Sequence, residues 1–179
     1  FMDAHLDFRK RREVQLFSTY GSFGQMQNGI ALEGSTGKLI SKTKFYHQQA
    51  TNDFEFKNPE GLSKTQTHAE VNQIGITQDL SYGIASNHVD VHGWFLKSER
   101  EIPALSVAQS SAQAQDDHSF RIAMNWSVLK QKWFWNVRGG FNQEEIRYVD
   151  PAAHLNEFSR AINFQSEVEL GFIITRQLK

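Results

Sequence analysis

With 179 residues, a formal net charge of −1 and a pI near 6.7, the chain has one domain's length and no charge excess that would draw it to nucleic acid. It has no cysteine, which excludes disulfide frameworks, thiol catalysis and cysteine-ligated zinc. No run reaches the roughly 20 apolar residues of a membrane helix, so this sequence could cross a bilayer only as a β-barrel.

The chain starts at Phe1 without a stretch resembling a signal peptide, and it reads as an excerpt of something longer. Met2, Ala4, Leu6 and Phe8 alternate with Asp3, His5 and Asp7. The basic run Arg9-Lys10-Arg11-Arg12 follows, in the manner of a solvated turn or a membrane-edge anchor. A period of two then predicts strands at about 13–20, 27–34, 38–48, 68–81, 87–98, 118–128, 132–146 and 160–174. Phe120, Ile122, Met124 and Trp126 alternate with Arg121, Ala123, Asn125 and Ser127. Trp133, Trp135, Val137 and Phe141 interleave with Asn136, Arg138 and Asn142, although Phe134 falls on the otherwise polar face. Ile162, Phe164, Val168, Leu170 and Phe172 stand against Asn163, Gln165, Glu167 and Glu169. Residues 104–115 lack a continuous apolar stripe and read as loop with at most one helical turn.

Tight turns are expected at Gly34 to Gly37, Gly83 to Ser86 and Leu129 to Gln131. Long polar connections are expected at 49–67, 99–117 and 147–159, with 21–26 as the one short connection at their end. Turns and loops sorted by end are how outer-membrane barrels are built. The expected fold is therefore all-β, an antiparallel up-and-down meander of about eight strands within a larger transmembrane β-barrel. Tyr82, Trp126 and Trp133 beside the tight turns, and Phe45, Tyr46, Trp94 and Phe95 towards the long loops, suit headgroup depth. A barrel that enclosed Arg121, Arg138, Glu167, Glu169, His88, Asp90 and His92 away from water would bury charge at high cost, whereas a wet lumen or a polar plug accommodates them. A soluble sandwich with these charges outside is the competing pattern.

Several segments, in order, carry a family resemblance. They are Ala4-His5-Leu6-Asp7-Phe8, the tip Thr19-Tyr20-Gly21-Ser22-Phe23-Gly24, Asn52-Asp53-Phe54-Glu55-Phe56-Lys57-Asn58 and Ser98-Glu99-Arg100-Glu101-Ile102-Pro103. Over residues 4 to about 103 this order resembles the plug-to-barrel junction of TonB-dependent outer-membrane receptors. The last two segments are similar to that family's N-D-F-x-[YF]-x-N loop and S-D-R-G-[IL]-P segment. His5 and Asp7 depart from the family's plug strand, and Glu101 stands where Gly is common. The resemblance implies that 1–12 are the last plug strand and linker, and that 13–179 begin a barrel of 22 strands. It implies a bacterial outer-membrane location, contact with outer-membrane lipid, and an energy-transducing TonB complex acting through a plug segment this excerpt lacks. It also implies a small-molecule or metal-chelate ligand, such as a siderophore chelate or a cobalamin. Asn52, Asp53, Phe54, Phe56, Asn58 and Arg100 are the candidate ligand contacts in the external loops. No nucleic-acid partner and no cofactor is expected.

Other polar clusters carry less. His88 and His92 lie on one strand face roughly 13 Å apart, too far to share an ion whose bonds to nitrogen are near 2.1 Å. Asp53 and Glu55 supply two oxygens where calcium takes six to eight. Tyr148-Val149-Asp150-Pro151 reads as a turn. No nucleophile–base pair or phosphate-binding loop is legible, so no enzyme is expected. The alternatives are a small self-contained outer-membrane barrel with an adhesion or structural role, and a soluble lipocalin-like ligand-binding barrel.

Overall fold

β-Branched and aromatic residues at every second position favour a pleated backbone with one apolar side. In the structure, a computed structural model describing residues 12–104, 111–172 and 174, they form ten strands and no helix. These are β1 (Arg12–Tyr20), β2 (Met26–Ser35), β3 (Leu39–Ala50), β4 (Phe54–Lys57), β5 (Ser63–Gln66), β6 (Val71–Ile84), β7 (Asn87–Ile102), β8 (Gln113–Leu129), β9 (Trp133–Asp150) and β10 (Leu155–Phe172). Eight of them make one antiparallel meander in the order β1-β2-β3-β6-β7-β8-β9-β10, while β4 and β5 pair as a hairpin inside the connection from β3 to β6. Of the expected plug strand and linker, only Arg12 lies within the described residues, and it opens β1.

The strands overrun their expected ends on the loop side. The connection expected at 147–159 shrinks to 151–154, and the one at 99–117 to 103–112; Gln113 to Gln115, read as loop, belong to β8. Residues 105–110 lie outside the described residues. Polar sequence without a clear period reads as loop, yet it pairs readily at the end of a sheet. Arg147 Nε, for example, donates to Asn156 Oδ1 at 3.0 Å across β9 and β10. The new turn is closed by Asp150, whose Oδ1 accepts from the amides of Ala152 (3.0 Å) and Ala153 (3.2 Å).

Each strand touches only its neighbours in the sheet, so the meander is a single layer with β1 and β10 at its edges. Its accessible surface is 13518 Å², whereas a compact monomer of 20.6 kDa would expose about 8,900 Å². Among the described residues the only buried apolar side chains are Ile40, Ala50 and Val128.

The register sorts the two faces. On one, Leu16, Ile30, Phe45, Ile76, Phe95 and Phe120 form an unbroken apolar row from β1 to β8. The next row towards the loops on that face is Ser18, Asn28, His47, Ile74, Lys97, His118, Glu145 and Arg160, polar at every strand but β6. Towards the short turns the face is mostly apolar, interrupted by Ser166 and by Thr43, Gln78 and Ser41, which hydrogen-bond to one another; it ends in Trp126, Trp133 and Trp135, whose rings meet at tilted and edge-on angles with centroids 5.0 and 5.6 Å apart. The opposite face carries Gln, Asn, Ser and charged residues, with twice as many carboxylates as Lys and Arg at its strand positions.

Three of the aromatics on that polar face lie across from a glycine on the neighbouring strand: Phe17 over Gly29, Tyr46 over Gly75 and Phe134 over Gly171. The ring covers backbone that a glycine leaves bare. This accounts for Phe134, the exception in the alternation. It also corrects the grouping of Tyr46 and Trp94 with the boundary aromatics. Both point to the polar face, Tyr46 over Gly75 and Trp94 beneath the Arg121 guanidinium, 4.7 Å from the ring centre. Adjacent strand residues face opposite ways, so only Phe45 and Phe95 of those pairs reach the apolar side.

Candidate functional site

Asn58-Pro59-Glu60-Gly61 has the residues a type I turn prefers, with Pro second and Gly fourth. The Gly61 amide donates to the Asn58 carbonyl at 2.8 Å. Asn58 Oδ1 also accepts from the amides of Glu60 (3.1 Å) and Leu62 (2.8 Å), so this candidate ligand contact is a turn-former. Asn58→Ala strands two amides and is expected to loosen the hairpin by about 1 kcal/mol. Faster tryptic cleavage at Lys57 and Lys64 would report it, with the short turns unaffected.

Asn52 is likewise a corner residue. It adopts φ 54°, which Asn tolerates. Its amide donates to the Phe23 carbonyl (3.0 Å) and its side chain to the Ala69 carbonyl (2.8 Å). The Thr51 hydroxyl bonds the same Phe23 carbonyl at 2.9 Å. The loop is thereby docked on the tip of the first hairpin, and the rings follow: Phe23 to Phe54 is 5.5 Å and Phe54 to Phe56 is 6.2 Å. Phe23 and Phe54 remain 56% and 41% exposed, which leaves an aromatic surface at the loop end, with Asp53 exposed beside it. Of the six candidates, Asn52, Asp53, Phe54, Phe56 and Asn58 share this loop. Arg100 instead sits opposite Val71 at the loop's root and forms an ion pair with Asp117 of β8.

The sequence reading missed two further groupings. The return limb of the loop is tied by His68, whose Nδ1 lies 3.1 Å from Glu101 Oε1 and whose Nε2 lies 2.9 Å from the Gln113 carbonyl. On the polar face Asp90 Oδ1 receives the Ser81 hydroxyl at 2.7 Å and lies 2.9 Å from His88 Nε2. Ser, Asp and His meet there with the carboxylate in the middle. The serine donates to the acid rather than to the imidazole, so this is not the order that activates a nucleophile. His92 turns to Asp79 at 2.9 Å, so the two histidines of the expected non-site serve separate carboxylates.

The polar face is knitted across strands. Glu144 takes Arg121 in a two-point contact at 2.9 and 2.6 Å and also accepts from Ser119; Arg138 reaches Glu167 (3.0 Å) and Glu169 (3.3 Å). Below Arg121, Ala123 and Gly140 leave a depression of about 650 Å³ rimmed by His92, Trp94, Asn142 and Gln165. No protein-family model matches the chain, and no curated protein matches it.

Proposed function

We propose that the chain is part of the wall of an outer-membrane β-barrel of the TonB-dependent receptor type, serving energised uptake of a scarce ligand such as a metal–siderophore chelate or a cobalamin. The observation that carries this reading is the apolar face. Its side chains stand open, with Leu16 and Phe164 each 79% exposed, and the face turns polar within one register step on the loop side. A single layer gains nothing from such a face in water; lipid supplies the missing contacts. The apolar positions run from Phe120 to Val128 on β8 and from Ile162 to Phe172 on β10, matching the 9–11 residues of a strand that crosses a bilayer. The polar face then meets a wet lumen or a plug, and the aromatic surface of Phe23, Phe54 and Phe56 belongs to the outer, ligand-capturing side. The order of sequence segments, which resembles that of the receptor family, is the ground for the transport assignment. Closure as a small eight-stranded barrel would need β1 to pair with β10 on its other edge, and no such pairing occurs among the described residues.

The four tryptophans divide between the faces and make the test internal. In vesicles containing bromine-labelled phosphatidylcholine, single-tryptophan forms retaining Trp126, Trp133 or Trp135 are expected to be strongly quenched, and the form retaining Trp94 is not. Equal quenching of all four, or of Trp94 alone, would overturn the assignment of faces. For the transport step, deletion of the gene encoding this chain is expected to abolish uptake of a ferric chelate or cobalamin that depends on the proton-motive force. Unchanged uptake of both would remove the receptor assignment while leaving the membrane one intact.

A further inference from the structure

On the polar face one cross-strand row runs Asp79, His92, Ala123, Gly140 and Gln165. Its third and fourth positions carry only a methyl group and a hydrogen. No ring from a neighbouring strand covers Gly140, in contrast to Gly29, Gly75 and Gly171; a Cβ added there would meet only the Ile122 carbonyl, at 3.8 Å. Bare backbone is therefore the floor of the depression of about 650 Å³, a size within the roughly 300–1,000 Å³ of small-molecule sites. The next row towards the loops, Trp94, Arg121, Asn142 and Asn163, is its wall.

The charges around this floor are already matched. Asp79 lies 2.9 Å from His92 Nδ1, and Arg121 is held by Glu144 and the Trp94 ring. Arg138, one row towards the short turns, reaches Glu167 and Glu169, and Lys42, across from Asp79, pairs with Glu33 at 3.3 Å. An anion would meet Asp79 and Glu167, and a cation would stand between Arg121 and Arg138. The amides are what is left over. Among the described residues Asn142, Asn163 and Gln165 have no side-chain hydrogen bond, and Asn142 Oδ1 is shielded from water without a donor. Elsewhere on this face amides are used, Gln73 on Ser98, Gln113 on Asp150 and Asn136 on Glu169. Each free amide offers donors and an acceptor side by side, which calls for uncharged groups that both accept and donate; hydroxyls do so. We infer that the depression binds an uncharged saccharide of two or three units. Asn142, Asn163 and Gln165 bond its hydroxyls, and the half-buried Trp94 indole stands at its side. The Asn142 amide turns about its Cβ–Cγ bond to bring Oδ1 to a hydroxyl entering over Gly140. The site goes beyond the uptake reading: it requires only the polar face, so the lipid-quenching and uptake experiments stand or fall apart from it.

The full chain in the single-tryptophan form that retains Trp94, held in phosphocholine micelles that contain no sugar, provides the test. Trp94 emission is followed during titration with a panel of neutral oligosaccharides built from glucose, galactose, mannose or N-acetylglucosamine, with calorimetry of the wild-type chain as the second measurement. At least one sugar is expected to give a saturable change with half-saturation in the millimolar range. Ala123→Arg fills the floor and is expected to weaken binding by about tenfold or more, and Asn142→Ala and Gln165→Ala by about two- to tenfold each. No saturable response to any sugar in either measurement would overturn the proposal, as would unchanged binding in Ala123→Arg. Equal saturation by tetraglycine would also overturn it, assigning the depression to a polypeptide segment.

Discussion

Met124→Arg is expected to be the most damaging single change on the apolar face, costing about 2–4 kcal/mol in a bilayer. Met124 sits midway between Phe120 and Val128 on β8, is 43% exposed, and pairs with Val91 and Gly139. With only small or aliphatic neighbours across the sheet, a guanidinium there has no carboxylate to meet and must reach the headgroups or draw water inward. The control is one residue away. Ala123→Arg points to the other face, into the depression beside His92 and Gln165 and towards Asp79, and is expected to change stability by less than about 1 kcal/mol. Denaturant titration of the chain in phospholipid vesicles compares the two. Equal costs, or the larger cost at Ala123, would mean that the apolar face is the enclosed one.

Gly29→Val is expected to cost about 1–3 kcal/mol through overpacking, with no dependence on lipid. A Cβ at Gly29 would overlap the Phe17 ring and approach the Phe45 carbonyl oxygen to 2.5 Å. The ring can swing away on an edge strand, but the carbonyl belongs to the ladder between β2 and β3 and cannot. Gly75 is the informative comparison, because the atoms in its way all belong to the Tyr46 ring. Gly75→Ala should therefore be milder and should be partly relieved by Tyr46→Ala, whereas Phe17→Ala should not relieve Gly29→Val. Midpoints from the same denaturant titration give the ranking.

Strand positions and faces were legible because alternation reports the pleat directly, most cleanly at Ile162 to Phe172. Strand ends were less so. Beyond the apolar band β9 and β10 mix polar residues with scattered apolar ones such as Ile146, Val149 and Phe158, and a segment such as Arg147 to Asp150 has no period to read. The hairpin inside 51–70 did leave a signal, since Phe54 and Phe56 alternate ahead of Asn58-Pro59-Glu60-Gly61. The docking of Phe54 on Phe23, and of His68 on Glu101, joins residues more than thirty positions apart and left none. Nearness to a loop groups Tyr46 and Trp94 with the boundary aromatics, but parity decides which side of a sheet a ring occupies and puts both on the polar face.

A sheet in which every strand touches only the next behaves as a one-dimensional chain of hinges: melting at one edge has no direct means of reaching the other. The 51–70 loop is the exception. It grips the first hairpin at Phe23 and the roots of β7 and β8 at Glu101 and Gln113, and so acts as a cross-tie over β1 to β8 at one rim only. At the rim of short turns the backbone bonds join only neighbouring hairpins, Gly83 to Lys38 and Leu129 to Ser86. A disturbance at the loop end of the sheet is therefore expected to spread along that rim before it travels down the strands.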